Sequence, residues 1–100
     1  MQSITVAALY KFVQLTDYQK IREPLLEFCL DNDIKGSLLL AAEGINGTVA
    51  STRENIEKLK VYFTGNAQIG GRFEGMNYKE SFDVEQPFYR MKVKLKKEIV

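Results

Sequence analysis

The sequence contains no histidine, no tryptophan and a single cysteine, Cys29, among its 100 residues. One cysteine cannot form an intramolecular disulfide. Without histidine the chain also lacks the residue on which most zinc sites, nucleophile pairs and proton shuttles depend. No apolar run approaches the ~20 residues of a membrane-spanning helix, and the first residues do not resemble a signal peptide. We therefore expect a cytoplasmic protein that uses no membrane, metal or cofactor.

What the sequence does contain is typical of one folded domain over residues 1–100, with 45% hydrophobic and 27% charged residues. A chain of this length can bury a core without disulfides or metals. The net charge is +1, but residues 90–100 hold five of the 14 basic residues and one of the 13 acidic ones. That segment therefore carries a net charge of +4 and the rest of the chain −3. This uneven distribution of charge bears on binding partners more than the net charge does.

The order of hydrophobic patterns predicts the fold class. Two helices, one beginning near Asp17 and one after Ser51, alternate with strands. Strands are predicted over residues 3–13, 37–42, 48–51, near 77–84 and over 88–100. This order is that of the ferredoxin-like βαββαβ fold with an extra strand. We predict an α+β sandwich in which an antiparallel sheet carries both helices on one face.

The first predicted strand is apolar on both faces. Alternation places five apolar residues on one side, and Ala7 and Leu9 keep the other side apolar. This pattern is typical of a strand with neighbours on both sides. The five are Ile4, Val6, Ala8, Tyr10 and Phe12.

Local signals predict where the two helices begin. Thr16 with Gln19, and Ser51 with Glu54, have the spacing of capping boxes. Pro24 removes a backbone N–H, so it predicts a kink or a main helix that begins near that residue. Cys29 falls on the buried stripe of the first helix, where a free thiol usually acts as a small hydrophobe.

The segment EGING, residues 43–47, lies between two apolar runs. Asn46-Gly47 predicts a type I′ hairpin turn, and Gly44 leaves room for a bulge or a close backbone approach. Glu43 directly follows a buried strand, where it would cap loop amides, hold a basic residue or face a ligand. A lone carboxylate is weak support for acid–base chemistry.

The last predicted strand is the stronger functional lead. Its cations alternate with apolar residues and span about 20 Å at ~3.3 Å per residue, a length comparable to the phosphate path of a few nucleotides. Lysines on an edge strand also prevent edge-to-edge aggregation, so both interpretations are open. Phe88 and Tyr89 could stack on bases but are expected to belong to the core. The candidate nucleic-acid-binding residues are Arg90, Lys92, Lys94, Lys96 and Lys97.

Three enzyme classes fit the sequence poorly. An acylphosphatase carries an Arg-bearing, Gly-rich anion loop between its first strand and first helix, whereas this chain has VQLTDY there. A metal chaperone of this fold would need a CxxC motif. A thiol enzyme would need an exposed, activated cysteine, and Cys29 is expected to be buried.

Three separated motifs resemble one bacterial family: LAAEGINGTVA at 40–50, KES at 79–81 and PFYRMKVKLKKEIV at 87–100. They are similar to the N-terminal domain of the rhodanese-related, oxygen-dependent tRNA uridine hydroxylases, and the resemblance covers essentially the whole chain. It implies an acylphosphatase-like domain followed by a rhodanese domain, in an enzyme that forms 5-hydroxyuridine at the wobble position of tRNA. Cys29 does not match the rhodanese cysteine, so no catalytic residue carries over.

The resemblance and the charge pattern together lead to one main expectation and two alternatives. We expect a non-catalytic module that contributes tRNA binding through the basic strand, in a fragment of a longer protein. The first alternative is a structural domain that docks this strand on the rhodanese domain of the same polypeptide. The second is a small-ligand or dimerisation module. For Glu43 and Asn46 the resemblance implies a second role, at the seam between domains.

Overall fold

The computed structural model describes residues 3–65 and 72–96. They form one five-stranded sheet with strand order β4-β1-β3-β2-β5. Neighbouring strands are antiparallel, except that β5 pairs in parallel with β2. The predicted α+β, ferredoxin-like fold with an extra strand is confirmed, with this one parallel pair as a correction. The elements are β1 Ile4–Phe12, α1 Tyr18–Asp31, β2 Lys35–Ala41, β3 Gly44–Ser51, α2 Arg53–Gly65, β4 Asn77–Asp83 and β5 Met91–Leu95.

The core lies between the helices and one face of the sheet. α1 packs on β5 and β2, and α2 on β1 and β3, so both helices cover the same face. Phe63 of α2 meets Phe73 edge to face, with ring centroids 5.2 Å apart. Because helices cover one face only, the opposite face is left without a helix. The core side chains of the helices are Ile21, Leu25, Cys29, Ile56, Leu59 and Phe63.

The helix starts differ from the predicted capping boxes. At α2 the cap is Thr52, whose Oγ1 accepts the backbone N–H of Asn55 at 3.2 Å. At α1 the cap is Asp17, whose carboxylate makes no capping hydrogen bond. It pairs instead with Arg72, at 2.5 Å. α1 continues through Pro24 from Tyr18, so a main helix beginning near Pro24 is wrong.

The β2–β3 hairpin turns at residues 42–43 and not at Asn46-Gly47, which lie inside β3. The physical reason is the burial of Ile45. A turn at 46–47 would extend β2 through Ile45 and place it on the opposite face from Leu40. With the turn at 42–43, Ile45 and Leu40 pair directly and both are fully buried.

Candidate nucleic-acid interface

The sheet face that carries no helix is the candidate site, and we call it the open face. Its members follow from the strand register, because alternate side chains of a strand point to opposite faces. They include four lysines and one acidic residue. The open face consists of Asn77, Lys79, Ser81 and Asp83 of β4, Ile4, Val6, Ala8, Tyr10 and Phe12 of β1, Gly44, Asn46, Thr48 and Ala50 of β3, Lys35, Ser37, Leu39 and Ala41 of β2, and Lys92 and Lys94 of β5.

The predicted basic residues gather at the β5 edge of the open face. Lys92 pairs with Ser37 of β2 and Lys94 with Leu39. Arg90 and Lys96 flank the strand on either side and are exposed. The remaining candidate, Lys97, lies outside the described residues.

Three cations of this edge make no ion pair with another described residue. Within residues 3–65 and 72–96, none of Lys92, Lys94 and Lys96 makes an ion pair. Asp83, the acidic side chain of the open face, accepts the backbone N–H of Val84 at 2.7 Å, beyond the end of β4. The described part of the β5 edge therefore carries a local positive charge.

The helical side of the domain differs, because it contains ion pairs between cations and carboxylates. Lys60 of α2 contacts Glu80 at 2.5 Å and Glu57 at 3.4 Å. The hydrogen bond with Glu80 raises the pKa of Lys60 above its ordinary value. The hydrogen bond from Arg72 likewise holds the pKa of Asp17 below its usual range. The two sides of the sheet thus differ in the charge that they offer.

Neither a thiol nor a metal site emerges from the part of the chain that is described. Cys29 is fully buried, and burial raises the pKa of its thiol to about 12. It is therefore a core residue, as the sequence predicts. Among these residues, no group of three or more His, Cys, Asp or Glu side chains could hold a metal ion.

Aromatic rings on the open face are the feature that the sequence interpretation missed. Tyr10 and Phe12 of β1 are 47% and 63% exposed, with ring centroids 6.1 Å apart. Tyr89, expected in the core, is fully exposed, and Phe88 is only partly buried. Both described helices pack on the other face, so the apolar residues on both sides of β1 were the available signal.

Two shallow depressions lie side by side on the open face, and we call the pair the trough. One lies toward β5 and the other toward β4, and both are lined by Gly47 and Thr48. Together the two linings include Lys79 at the β4 edge and Lys94 and Lys96 at the β5 edge. The remaining lining residues toward β5 are Ser37, Leu39, Phe88, Lys94 and Lys96, and toward β4 they are Ala8, Leu9, Tyr10, Asn46, Asn77, Tyr78 and Lys79.

The EGING residues separate into two groups in the structure. Glu43 lies in the turn, where its carbonyl oxygen accepts the N–H of Val13 at 3.0 Å. Gly44 and Gly47 lie in β3, where an added Cβ would overlap a carbonyl oxygen of a neighbouring strand. Asn46 lies on the open face directly beside Tyr10. The glycines are thus structural, and Asn46 belongs to the trough.

The loop between β1 and α1 does not form a phosphate cradle. Its Val13 and Leu15 amides donate to the carbonyl oxygens of Glu43 and Ala42, at 3.0 and 2.7 Å. These two amide donors are therefore already hydrogen-bonded to the turn of the β2–β3 hairpin. The loop also lacks arginine and glycine, so the chain has an acylphosphatase-like fold without that enzyme's anion loop.

Residues 4–99 match the family described as the UPF0176 acylphosphatase like domain. The chain belongs to this family. It is also 54% identical over 100 residues to a tRNA uridine(34) hydroxylase from Teredinibacter turnerae. The match covers all of this chain and 30% of that relative, so the chain spans less than a third of the relative's length. The family resemblance that the three sequence motifs indicated is confirmed.

Solved structures support the fold alone. An acylphosphatase from Coxiella burnetii aligns with a TM-score of 0.61 at 9% identity, over 95% of this chain and 94% of that one. A bacterial light-regulated adenylyl cyclase aligns with a TM-score of 0.67 at 17% identity, over 97% of this chain and 30% of the other. Within the described residues, no helix is long and apolar enough to cross a membrane.

Proposed function

We propose that this domain is a non-catalytic tRNA-binding module of a tRNA uridine(34) hydroxylase. In this proposal a rhodanese domain of the same polypeptide forms 5-hydroxyuridine at the wobble position, and the basic edge of the open face contacts tRNA phosphates. The relative from Teredinibacter turnerae, with its printed name, supports the enzyme class. The observation that carries the binding role is the group Lys92, Lys94 and Lys96, exposed or half-exposed and without an ion pair among the described residues.

Phosphate binding fits these lysines for a physical reason. Alternate residues of a strand lie about 7 Å apart on one face, so the three ammonium groups form a row along β5. A row of cations that neutralises phosphates releases condensed counterions, and the free energy of binding then depends steeply on salt. Docking on another protein domain is the competing proposal, and a small-ligand or dimerisation role is a third. Neither competing role predicts salt-dependent tRNA binding by the isolated domain.

The test is tRNA binding by the isolated domain over a range of salt concentrations. We expect Lys92→Gln, Lys94→Gln and Lys96→Gln together to lower affinity by at least about tenfold at low salt. The slope of log K against log salt should fall by about one for each lysine removed, because each lost phosphate contact releases about one counterion fewer.

The matched control removes the same charge from the helical side. Lys20→Gln, Arg53→Gln and Lys58→Gln change three exposed residues of α1 and α2. This control should leave affinity within about threefold of the wild type, because helical-side cations make no phosphate contact in our proposal. Equal losses of tRNA affinity in both triple variants would mean that binding depends only on the net charge of the domain. Absence of binding at low salt would contradict the proposal and favour docking.

A further inference from the structure

We infer that the open face binds unpaired RNA bases, and that Tyr10 and Phe12 are the rings on which those bases stack. This inference rests on the proposed function, because it specifies which part of an RNA the same face receives. It goes beyond phosphate contact, since a row of lysines alone does not distinguish paired from unpaired nucleotides.

The first argument is the position of the two rings. β1 is a central strand, paired with β3 as far as Phe12 and with β4 as far as Tyr10, yet Tyr10 and Phe12 remain 47% and 63% exposed. The register partner of Phe12 on β3 is Gly44, which has no side chain to cover the ring. More than half of Phe12 is therefore in contact with solvent. An exposed aromatic pair on a flat sheet offers the π-faces that unstacked bases need.

The second argument is the chemistry around the rings. Tyr10 has Asn46 as its partner on β3 and Asn77 as its partner on β4. Each carboxamide offers both a donor and an acceptor, which is what the edge of a base requires. Thr48 follows in the trough toward β5 and adds a hydroxyl. The ring can therefore stack on the face of a base while the two flanking amides hydrogen-bond its edge.

The third argument is charge complementarity across the trough. Lys79 pairs with Ala8 at the β4 edge, and Lys94 lines the trough at the β5 edge. Adjacent strands lie about 4.8 Å apart, so β5 and β1 are separated by roughly 14 Å. A short single strand can lie across this width, with phosphates at the lysines and bases over β1. A duplex keeps its bases stacked inside and cannot present them to a sheet.

The experiment compares two RNAs, a short single strand of mixed sequence and a duplex with the same number of phosphates. We expect the wild-type domain to prefer the single strand. Tyr10→Leu and Phe12→Leu should each lower affinity for the single strand about five- to 100-fold, and neither should change affinity for the duplex. Tyr10→Phe keeps the ring and should bind like the wild type.

The control variant is Phe82→Leu. Phe82 is 62% exposed, nearly the same as Phe12, but its register partner Thr5 places it on the helical face of β4. Its loss should not affect binding of either RNA. Circular dichroism and thermal unfolding verify that each variant is folded.

The outcomes separate this inference from the proposed function. If the single strand and the duplex bind equally and the ring variants bind normally, base stacking is wrong while phosphate binding stands. If the wild type binds neither RNA, both fail. If Lys92→Gln, Lys94→Gln and Lys96→Gln weaken both RNAs alike while the ring variants weaken only the single strand, both are supported. Normal binding of the single strand by the ring variants would overturn the stacking inference.

Discussion

Gly44→Ala is expected to destabilise the domain by more than ~3 kcal/mol, a large part of the stability of a domain of this size. Gly44 has φ +143°, a region that is essentially restricted to glycine. A Cβ there would also overlap the carbonyl oxygen of Lys11 and come within 3.1 Å of the Phe12 Cα. Both atoms belong to the backbone of the neighbouring central strand, so neither can move without breaking the β1–β3 pairing.

Thermal unfolding followed by circular dichroism measures this effect. A loss of ~3 kcal/mol should lower Tm by at least about 12 °C, at about 4–8 °C per kcal/mol. The control is Gly65→Ala, at the end of α2, where an added Cβ would meet, among the described residues, only Val61 Cγ1 at 3.9 Å. That variant should be neutral or slightly stabilising, because alanine favours helix over glycine. A Gly44→Ala protein as stable as the wild type would show that β3 does not follow this path.

The second large effect concerns the enzyme that contains such a domain. A chimera is made in which this domain replaces the matching 30% of the Teredinibacter turnerae relative. In an active chimera, we expect Lys92→Glu, Lys94→Glu and Lys96→Glu to lower kcat/KM for tRNA by at least about 100-fold. Charge reversal replaces three phosphate contacts by three repulsions. Because these contacts are the same in the ground state and the transition state, KM should rise while kcat changes little.

The kinetic pattern distinguishes binding from docking. The expected result is a KM effect that shrinks as salt increases, because screening weakens both the attraction and the repulsion. A fall in kcat with KM unchanged would contradict tRNA contact by β5. It would indicate that the basic strand positions another domain of the enzyme. Charge reversal at Lys20, Arg53 and Lys58 provides the matched control on the helical side.

The order of elements could be predicted from the sequence because each element has a clear period and at least one strong terminator. The hairpin turn could not be placed by the same means. Asn46-Gly47 is a strong local turn signal, but burial of Ile45 beside Leu40 outweighs it. The turn preference of Asn46-Gly47 depends on those two residues alone, whereas the register of β3 is decided jointly by its pairing with β1 and β2. The two residues by themselves therefore do not show which of these effects is the stronger.

The candidate site was predictable only in part. The lysines of β5 could be identified because alternation places them on one side of an edge strand, and the register agrees. The apolar pattern on both faces of β1 was interpreted as that of a strand with neighbours on both sides, which is confirmed, but it does not tell which face stays exposed, so Tyr10 and Phe12 were missed. Which face the helices cover is a tertiary property, and Ala7 and Leu9, the smaller apolar set, turn out to face the helices.

Ultraviolet cross-linking of the domain to tRNA, with mass spectrometry of the cross-linked peptides, tests most directly where RNA lies. We predict cross-links at Tyr10, Phe12 and Lys94, all on the open face. Tyr18 and Tyr62, which pack against the helical-side core, are internal controls that should remain free of RNA. Cross-links confined to α1 and α2, with none on the open face, would contradict the account.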